Sequence, residues 1–377
     1  MAVRGAYSND EKKMMVNFEE KAESFAGWGK SLLIPVATKD SVNRFALAVD
    51  PWNLLWRDDN YAVNTRWGGV IAPPMYQDAI AQFTWFPEIP QSIGYNTGMW
   101  VGEDWDFFKP IHVNDSFKVW RRRPRIQDIT APDGKGPRKF GCTMHDNDIF
   151  NQRDEIISTF KLYFEAVIVP DPPNLPEPIP EYKYTREELA FIDRMFKEEE
   201  VRGSNIRWWE DVSVGEELRP VIMGPTTLWD QIVYTAGRQE MDLVPMMEVR
   251  RRGVPEFLTP DPDTGVTHHA IEWHHADLVA RLHGMPNALH YGIVSRQLLA
   301  RLVTNWMGDD GFIRTFHWRH LMHFKIGDTC IGRGKVLNKR VENGEHLVDI
   351  SLWTENLRGN VSIPATATVS LFSKENL

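Results

Sequence analysis

The chain has 377 residues, 42% of them hydrophobic and 25% charged, and a formal charge of −9 from 43 Lys and Arg against 52 Asp and Glu. That length exceeds the roughly 100–200 residues of one domain, so two cores are expected, and the ordinary apolar content excludes a wholly disordered chain. The acidic balance argues against a nucleic-acid partner, the lack of an apolar run of about 18 residues argues against a membrane span, and an N-terminus without an apolar signal segment predicts a cytoplasmic protein.

In chain order, the first long helix is predicted over Pro74–Phe86, with a proline suited to its first turn and Pro87 stopping it. Then come Asp104–Asp115, the extended run Ser116–Arg121, and a turn Asn151-Gln-Arg-Asp154 leading into Glu155–Ile168. The proline-rich stretch Pro170–Pro180 can hold neither a helix nor a central strand and reads as a stiff linker. Thr185-Arg-Glu-Glu188 is a capping-box pattern that opens a charged helix towards Glu200. Met247–Thr267, rich in Arg, Pro, Asp and Gly, reads as a long inserted loop, followed by a short helix Ala276–His283. A second long helix is predicted over Tyr291–Trp306, where Val294, Leu298, Leu302 and Trp306 recur every fourth residue. Ile293, Leu299 and Val303 widen that stripe, so the helix should lie enclosed by a sheet.

The segments after this helix repeat those after the first. His317–Asp328 followed by Thr329–Val336 parallels Asp104–Asp115 followed by Ser116–Arg121, and Asn356-Leu-Arg-Gly359 before Asn360–Phe372 parallels the turn at 151–154. An Asn-Xaa-Arg-(Asp/Gly) step between β-rich runs is hairpin chemistry, and the alternation over Leu347–Trp353 marks a sheet with one covered face. The expectation is an α+β chain made of two copies of a helix wrapped by an antiparallel sheet. Its boundaries are 1–169 for the first unit, 170–207 for the linker and charged helix, and 208–377 for the second.

Six of the twelve histidines, His268, His269, His274, His275, His283 and His290, lie just before the glycine-led start of the second long helix. An imidazole beside such a start offers a proton-transfer group together with backbone N–H donors for a developing oxyanion. That pairing suits a thioester substrate. His274 is the candidate acid/base and the amide of Gly292 the candidate oxyanion donor, with Tyr291 beside it. The carboxylate that would fix the imidazole is sought among Asp277, Glu272 and Asp263, between which the sequence does not choose, with Asp277 taken as the catalytic candidate. The structural alternative is that His274 and His275 pack at the start of the short helix, with Asp277 as a helix-end charge. No His-Glu-Xaa-Xaa-His occurs, so no metal is expected. Cys142 and Cys330 are too few for a disulfide framework, and Asp309-Asp310-Gly311 reads as a turn closing the helix.

Two stretches carry a family resemblance. Asp50-Pro-Trp-Asn-Leu-Leu-Trp-Arg-Asp58, Tyr61-Ala62 and Arg66-Trp-Gly-Gly-Val-Ile-Ala-Pro-Pro74 resemble the FAS1-like dehydratase N-terminal half of MaoC-like acyl dehydratases, the family of R-specific enoyl-CoA hydratases. His274-His-Ala-Asp-Leu-Val-Ala-Arg281, Gly284, Tyr291-Gly292 and Leu302–Gly311 resemble the C-terminal half. The resemblance implies a tandem (double) hotdog and reversible hydration of a 2-enoyl-CoA with a bulky acyl group. It implies no cofactor beyond the coenzyme A carried by the substrate. In the family a Gly-Asp-Xaa-Asn-Pro-Xaa-His stretch supplies an Asp/His pair. Here Trp56 takes the histidine's place in the first half, which then reads as an acyl-binding copy. His274 keeps that place in the second half, while Arg238 stands where the aspartate is expected. The implied substrate-binding residues are Tyr291, Ile293, Trp56, Gly69, Ile71, Ala72 and Pro73, and the His274 imidazole and the Gly292 amide are expected to converge on one tunnel between the two halves. The alternatives are a non-catalytic acyl-CoA-binding subunit of a hetero-oligomeric hydratase and a hotdog thioesterase. The expected assembly is a homodimer or a hetero-oligomer with another hotdog protein.

Overall fold

The computed structural model describes residues 8–23, 26–29, 32–82, 97–129, 139–167, 175–239, 258–282 and 284–376. In chain order the helices are α1 (Asn9–Ala22), α2 (Lys39–Val49), α3 (Asp59–Ala62), α4 (Tyr76–Gln82), α5 (Arg186–Lys197), α6 (Leu228–Gly237), α7 (Asp277–Leu282) and α8 (Gly292–Met307). The strands are β1 (Gly27–Trp28), β2 (Thr97–Phe107), β3 (Lys118–Arg121), β4 (Arg125–Asp128), β5 (Lys139–Phe150), β6 (Ile156–Val167), β7 (Val221–Met223), β8 (Leu258–Pro260), β9 (Thr267–His269), β10 (Phe312–Arg319), β11 (Cys330–Glu342), β12 (Glu345–Glu355) and β13 (Val361–Leu371).

Eleven of these strands form one sheet in the order β1-β3-β5-β6-β2-β10-β13-β12-β11-β7, with β4 beside β5. The duplication read from the sequence is visible in that order. β2, β6 and β5 mirror β10, β13 and β12 about an antiparallel seam in which Trp105 lies opposite Phe316 and Trp318 opposite Glu103. A two-fold about this seam equates Trp105 with Trp318 and Phe107 with His320, the same register as the sequence repeat. The matching hairpin turns also share a backbone device, because Asp154 and Gly359 both adopt positive φ, at 58° and 76°. An extra pair, β8 with β9, folds part of the inserted loop into a hairpin.

α8 is the long central helix, and its burial goes beyond the apolar stripe. All its residues except Gly292 and Arg301 are buried, including Ser295, Arg296, Gln297, Thr304 and Asn305. A helix apolar on one face only would leave the other wet, so these polar groups need internal partners. Arg296 meets Glu103 at 2.6 Å and Asp78 at 3.1 Å, and donates to the Tyr234 hydroxyl at 2.9 Å. Arg238 lies 3.4 Å from the same Asp78. Both seam tryptophans, Trp105 and Trp318, donate their indole N–H to Glu103 Oε2, at 2.7 and 2.8 Å. Opposite charges are thus matched in a dry interior.

The first predicted helix is described only over Tyr76–Gln82, and residues 83–96 lie outside the described part. The charged helix appears as α5 with both arms of its Thr185–Glu188 capping box formed. Among the described residues no helix is long and apolar enough to cross a membrane.

Candidate active site

Three loops meet at the start of α8. His274 ends a 3-10 turn, Ala270–His274, just before α7. Residues 288–290 lead into α8, and residues 320–326 follow β10. Main-chain bonds stitch them together: Leu289 N–H donates to the Trp273 carbonyl at 3.3 Å, His290 N–H to Phe324 O at 2.8 Å, and Ile326 N–H to Ala288 O at 3.2 Å. Gln231 on α6 adds a clamp that sequence gave no reason to suspect. Its amide N donates to the His274 carbonyl at 2.7 Å, and its amide O accepts from Tyr291 N–H at 2.7 Å. A fully buried amide bridging two main-chain groups holds the two segments in register.

His274 is half-buried, with its ring 4.0 Å from that of Tyr291 and edge-on to Trp273 at 5.5 Å. Its Nδ1–H donates to the Leu289 carbonyl at 2.9 Å, which leaves the lone pair on Nε2. Burial drives its pKa down to about 3, against the opposing pull of the Leu289 bond, so the ring is neutral at physiological pH. A neutral imidazole with a fixed tautomer can accept a proton at one defined atom.

The orienting carboxylate expected from sequence is replaced by that carbonyl. Asp277 instead accepts from Ala288 N–H at 2.7 Å and Asn287 Nδ2 at 3.3 Å, which secures the approach to α8. Glu272 faces His268 at 2.9 Å, and Asp263 sits in a turn where its own N–H bonds Asp261. His283 and the side chain of His269 lie outside the described residues.

Gly292 opens α8 with no side chain capping the helix start. Its glycine has a geometric cause, since a Cβ there would lie 2.1 Å from His320 Nε2. Tyr291 and Ile293 flank it, both buried. Around this point stand His290, His320 and His323, all held neutral chiefly by burial, with His290 and His323 pushed down to about 4 and His320 well below the ordinary histidine range. Among the described residues no three His, Cys, Asp or Glu side chains converge on a metal-ion position.

The remaining sequence-derived residues lie elsewhere. Trp56, Ile71, Ala72 and Pro73 line a half-open cleft with Phe107 and Met307, about 540 Å³ including its mouth. Its Met307 wall is at the far end of α8, about 22 Å along the helix from Gly292 at a rise of ~1.5 Å per residue, while the Pro74 carbonyl on another wall accepts from Gln297 Nε2 at 3.1 Å. Gly69 is partly exposed and has nothing within 4 Å of where a Cβ would be. The seam two-fold explains the separation: the cleft is the first repeat's counterpart of the His274 site, with Trp56 and Phe107 where the second repeat has His274 and His320. The caps agree. α2 and α6 each follow a threonine, and they end on Asp50 and Arg238 respectively. Asp50 is buried, accepts from the Trp56 indole at 2.9 Å, and has its pKa raised by desolvation to about 6. Asp50 in the first repeat and Arg238 in the second thus hold equivalent positions at the ends of α2 and α6.

Residues 30–160 match the family model described as "FAS1-like, dehydratase domain region". A search of curated proteins finds no match. Among solved structures, a MaoC-like dehydratase superimposes with a TM-score of 0.63 at 15% identity, covering 93% of this chain and 100% of the other. A putative MaoC domain protein dehydratase from Chloroflexus aurantiacus J-10-fl gives 0.51 at 16% identity, covering 90% and 93%. A Mycobacterium tuberculosis protein described as having a double hotdog fold gives 0.50 at 10% identity, covering 89% and 92%. These matches bear out the family resemblance and the α+β hotdog architecture.

Proposed function

We propose, for a chain whose residues 30–160 match a FAS1-like dehydratase region and whose fold resembles that of a MaoC-like dehydratase, reversible hydration of a 2-enoyl-CoA to a 3-hydroxyacyl-CoA. The observation that carries this reading is the juxtaposition at the start of α8: His274, with its proton fixed on Nδ1 and its Nε2 unprotonated, beside the uncapped amide of Gly292. In the hydration direction His274 Nε2 accepts a proton from water as the oxygen bonds C3. The C2=C3 π pair moves into the thioester enolate, whose oxygen the Gly292 N–H stabilises. The proton then returns from Nε2 to C2, and the enolate collapses to the thioester. Coenzyme A enters only as part of the substrate. In this reading the second repeat, within 208–377, carries the chemistry and the first shapes the acyl environment.

The test is hydration of trans-2-enoyl-CoA by the purified chain and by His274→Ala. Loss of general acid/base help predicts a fall in kcat of about 10²–10⁴. Unchanged turnover in the variant would remove the assignment. A second reading, a non-catalytic acyl-CoA-binding subunit, is favoured by one observation: Arg238 fills the place of the family's aspartate and is tied up beside Asp78. Acyl-CoA binding without turnover by the isolated chain, with turnover on adding a second hotdog protein, would select it. Release of free thiol instead of hydration would select a thioesterase.

A further inference from the structure

We infer that His320 is a second water-holding group of the site, standing in for the aspartate that this chain lacks at position 238; this rests on the hydratase reading above.

The first observation is an unsatisfied atom. His320 Nδ1 bonds the Met322 carbonyl at 3.0 Å, and since a carbonyl only accepts, the ring proton is on Nδ1 and Nε2 holds the lone pair. That Nε2 is buried and has no hydrogen-bond partner among the described residues. An unsatisfied buried acceptor costs about 1–3 kcal/mol, which a ligand able to donate would relieve. A thioester oxygen cannot donate. Water, or the 3-hydroxyl of a hydrated acyl chain, can.

The second observation is placement. Nε2 lies against Gly292, so closely that only glycine fits there. It therefore lies beside the Cα of the residue whose amide the hydratase reading assigns to the substrate carbonyl. The ring stacks on His323 at 4.0 Å and is edge-on to Trp318 at 5.8 Å. Leu321 and Met322, next along the loop, are exposed, which puts the site just beneath the surface.

The third observation is the duplicate. In the first repeat's cleft the equivalent pair is Trp56 and Phe107, both apolar, whereas in the second repeat both positions are histidine. His274 and His320 present the same chemistry: Nδ1–H on a main-chain carbonyl, Nε2 as acceptor. Burial keeps both rings neutral, and His274 is among the groups that disfavour a positive charge on His320. Water held between the two Nε2 atoms donates one hydrogen to each. As its oxygen bonds C3, the hydrogen facing His274 is transferred as a proton to that ring and is later delivered to C2. The hydrogen facing His320 stays on oxygen and becomes the product hydroxyl, so no proton is left over. His320 is accordingly a positioning residue.

The experiment compares wild type, His320→Phe and His320→Gln in hydration of trans-2-butenoyl-CoA and trans-2-decenoyl-CoA, with melting temperature measured for each. Phenylalanine is the first repeat's own residue and retains the stacking, while glutamine presents an amide oxygen near the lost Nε2. The inference predicts a kcat about 100-fold lower for His320→Phe, KM within about threefold, a melting temperature within a few degrees, and at least tenfold recovery in His320→Gln. Should the Phe variant not fold, His320→Asn, which preserves the bond to Met322, is read in the same way. A folded Phe or Asn variant with kcat within threefold of wild type overturns the inference alone, as does a glutamine variant no better than phenylalanine. A wild type that hydrates neither thioester overturns the hydratase reading and this inference with it.

Discussion

His274, His290, His320 and His323 are neutral for a common reason: each would have to carry charge away from water, and burial outweighs the opposing pulls, including that of the Asp230 carboxylate on His290. The linkage has a definite sign. In the unfolded chain these rings protonate near 6.5, while in the fold they stay neutral down to about 3 for His274 and about 4 for His290 and His323. The unfolded state therefore binds more protons below 6.5, so their contribution is complete above that pH and is lost as pH falls towards about 4. Asp50 acts in the opposite sense, because its raised pKa of about 6 makes its contribution complete below 3.8 and lost as pH rises through 6. As pH falls from 6.5 to 4.5 the four imidazoles pull the denaturant midpoint down, while Asp50 and the other carboxyls whose pKa burial raises, Glu103, Asp309 and Asp310, oppose that drop. His290→Gln, at the most buried ring, should flatten that drop, and an equal slope in both proteins would refute the account. Among these residues, only His274 and His290 were drawn together by their neighbourhood in sequence. His320 and His323 come from beyond β10, and nothing in the local pattern says that a loop after a strand returns to Gly292. The available signal was the repeat, which sets a histidine opposite the phenylalanine at 107.

At the scale of elements, α8 shows which parts of a helix a sequence discloses. Its apolar stripe was legible because leucine, valine and tryptophan recur at helical spacing, and its limits fall within a residue of expectation. That the opposite face is also buried was not legible, because the partners of Arg296 come from α4, β2 and α6. Arg238 posed the same difficulty. Read alone it was a missing aspartate, and in the fold it is a cation beside Asp78. These ion pairs carry a mechanical prediction. Arg296→Met would leave Glu103 and Asp78 short of their principal cation, and breaking a buried pair by removing one partner costs about 3–5 kcal/mol. Equilibrium denaturation of the variant measures this. A loss below about 1 kcal/mol would mean that the interior relaxes or hydrates around the carboxylates. Trp56, Ile71, Ala72 and Pro73 share a cleft with Met307, and His274 is not among the residues that line it.

Over the whole molecule, duplication followed by divergence accounts for the arrangement. A single sheet runs through both repeats because β2 and β10 pair at the seam, and the register there sets Phe107 of the first repeat's cleft equivalent to His320 beside the α8 start. One became apolar, with Asp50 closed over by Trp56, and the other gathered imidazoles around an uncapped helix start. The architecture was readable in advance because paired turns, paired strands and a proline-rich divider recur in order. That Phe107 and His320 become equivalent across one continuous sheet was not, because it depends on which strands join the halves. The central claim is that the acyl thioester is engaged at the start of α8. A crystal structure with a bound 3-hydroxyacyl-CoA tests it most directly: the account predicts the thioester oxygen within hydrogen-bond distance of Gly292 N–H and the 3-hydroxyl facing His274 Nε2. Thioester found only in the cleft of Trp56 and Phe107, with the α8 start unoccupied, would contradict it.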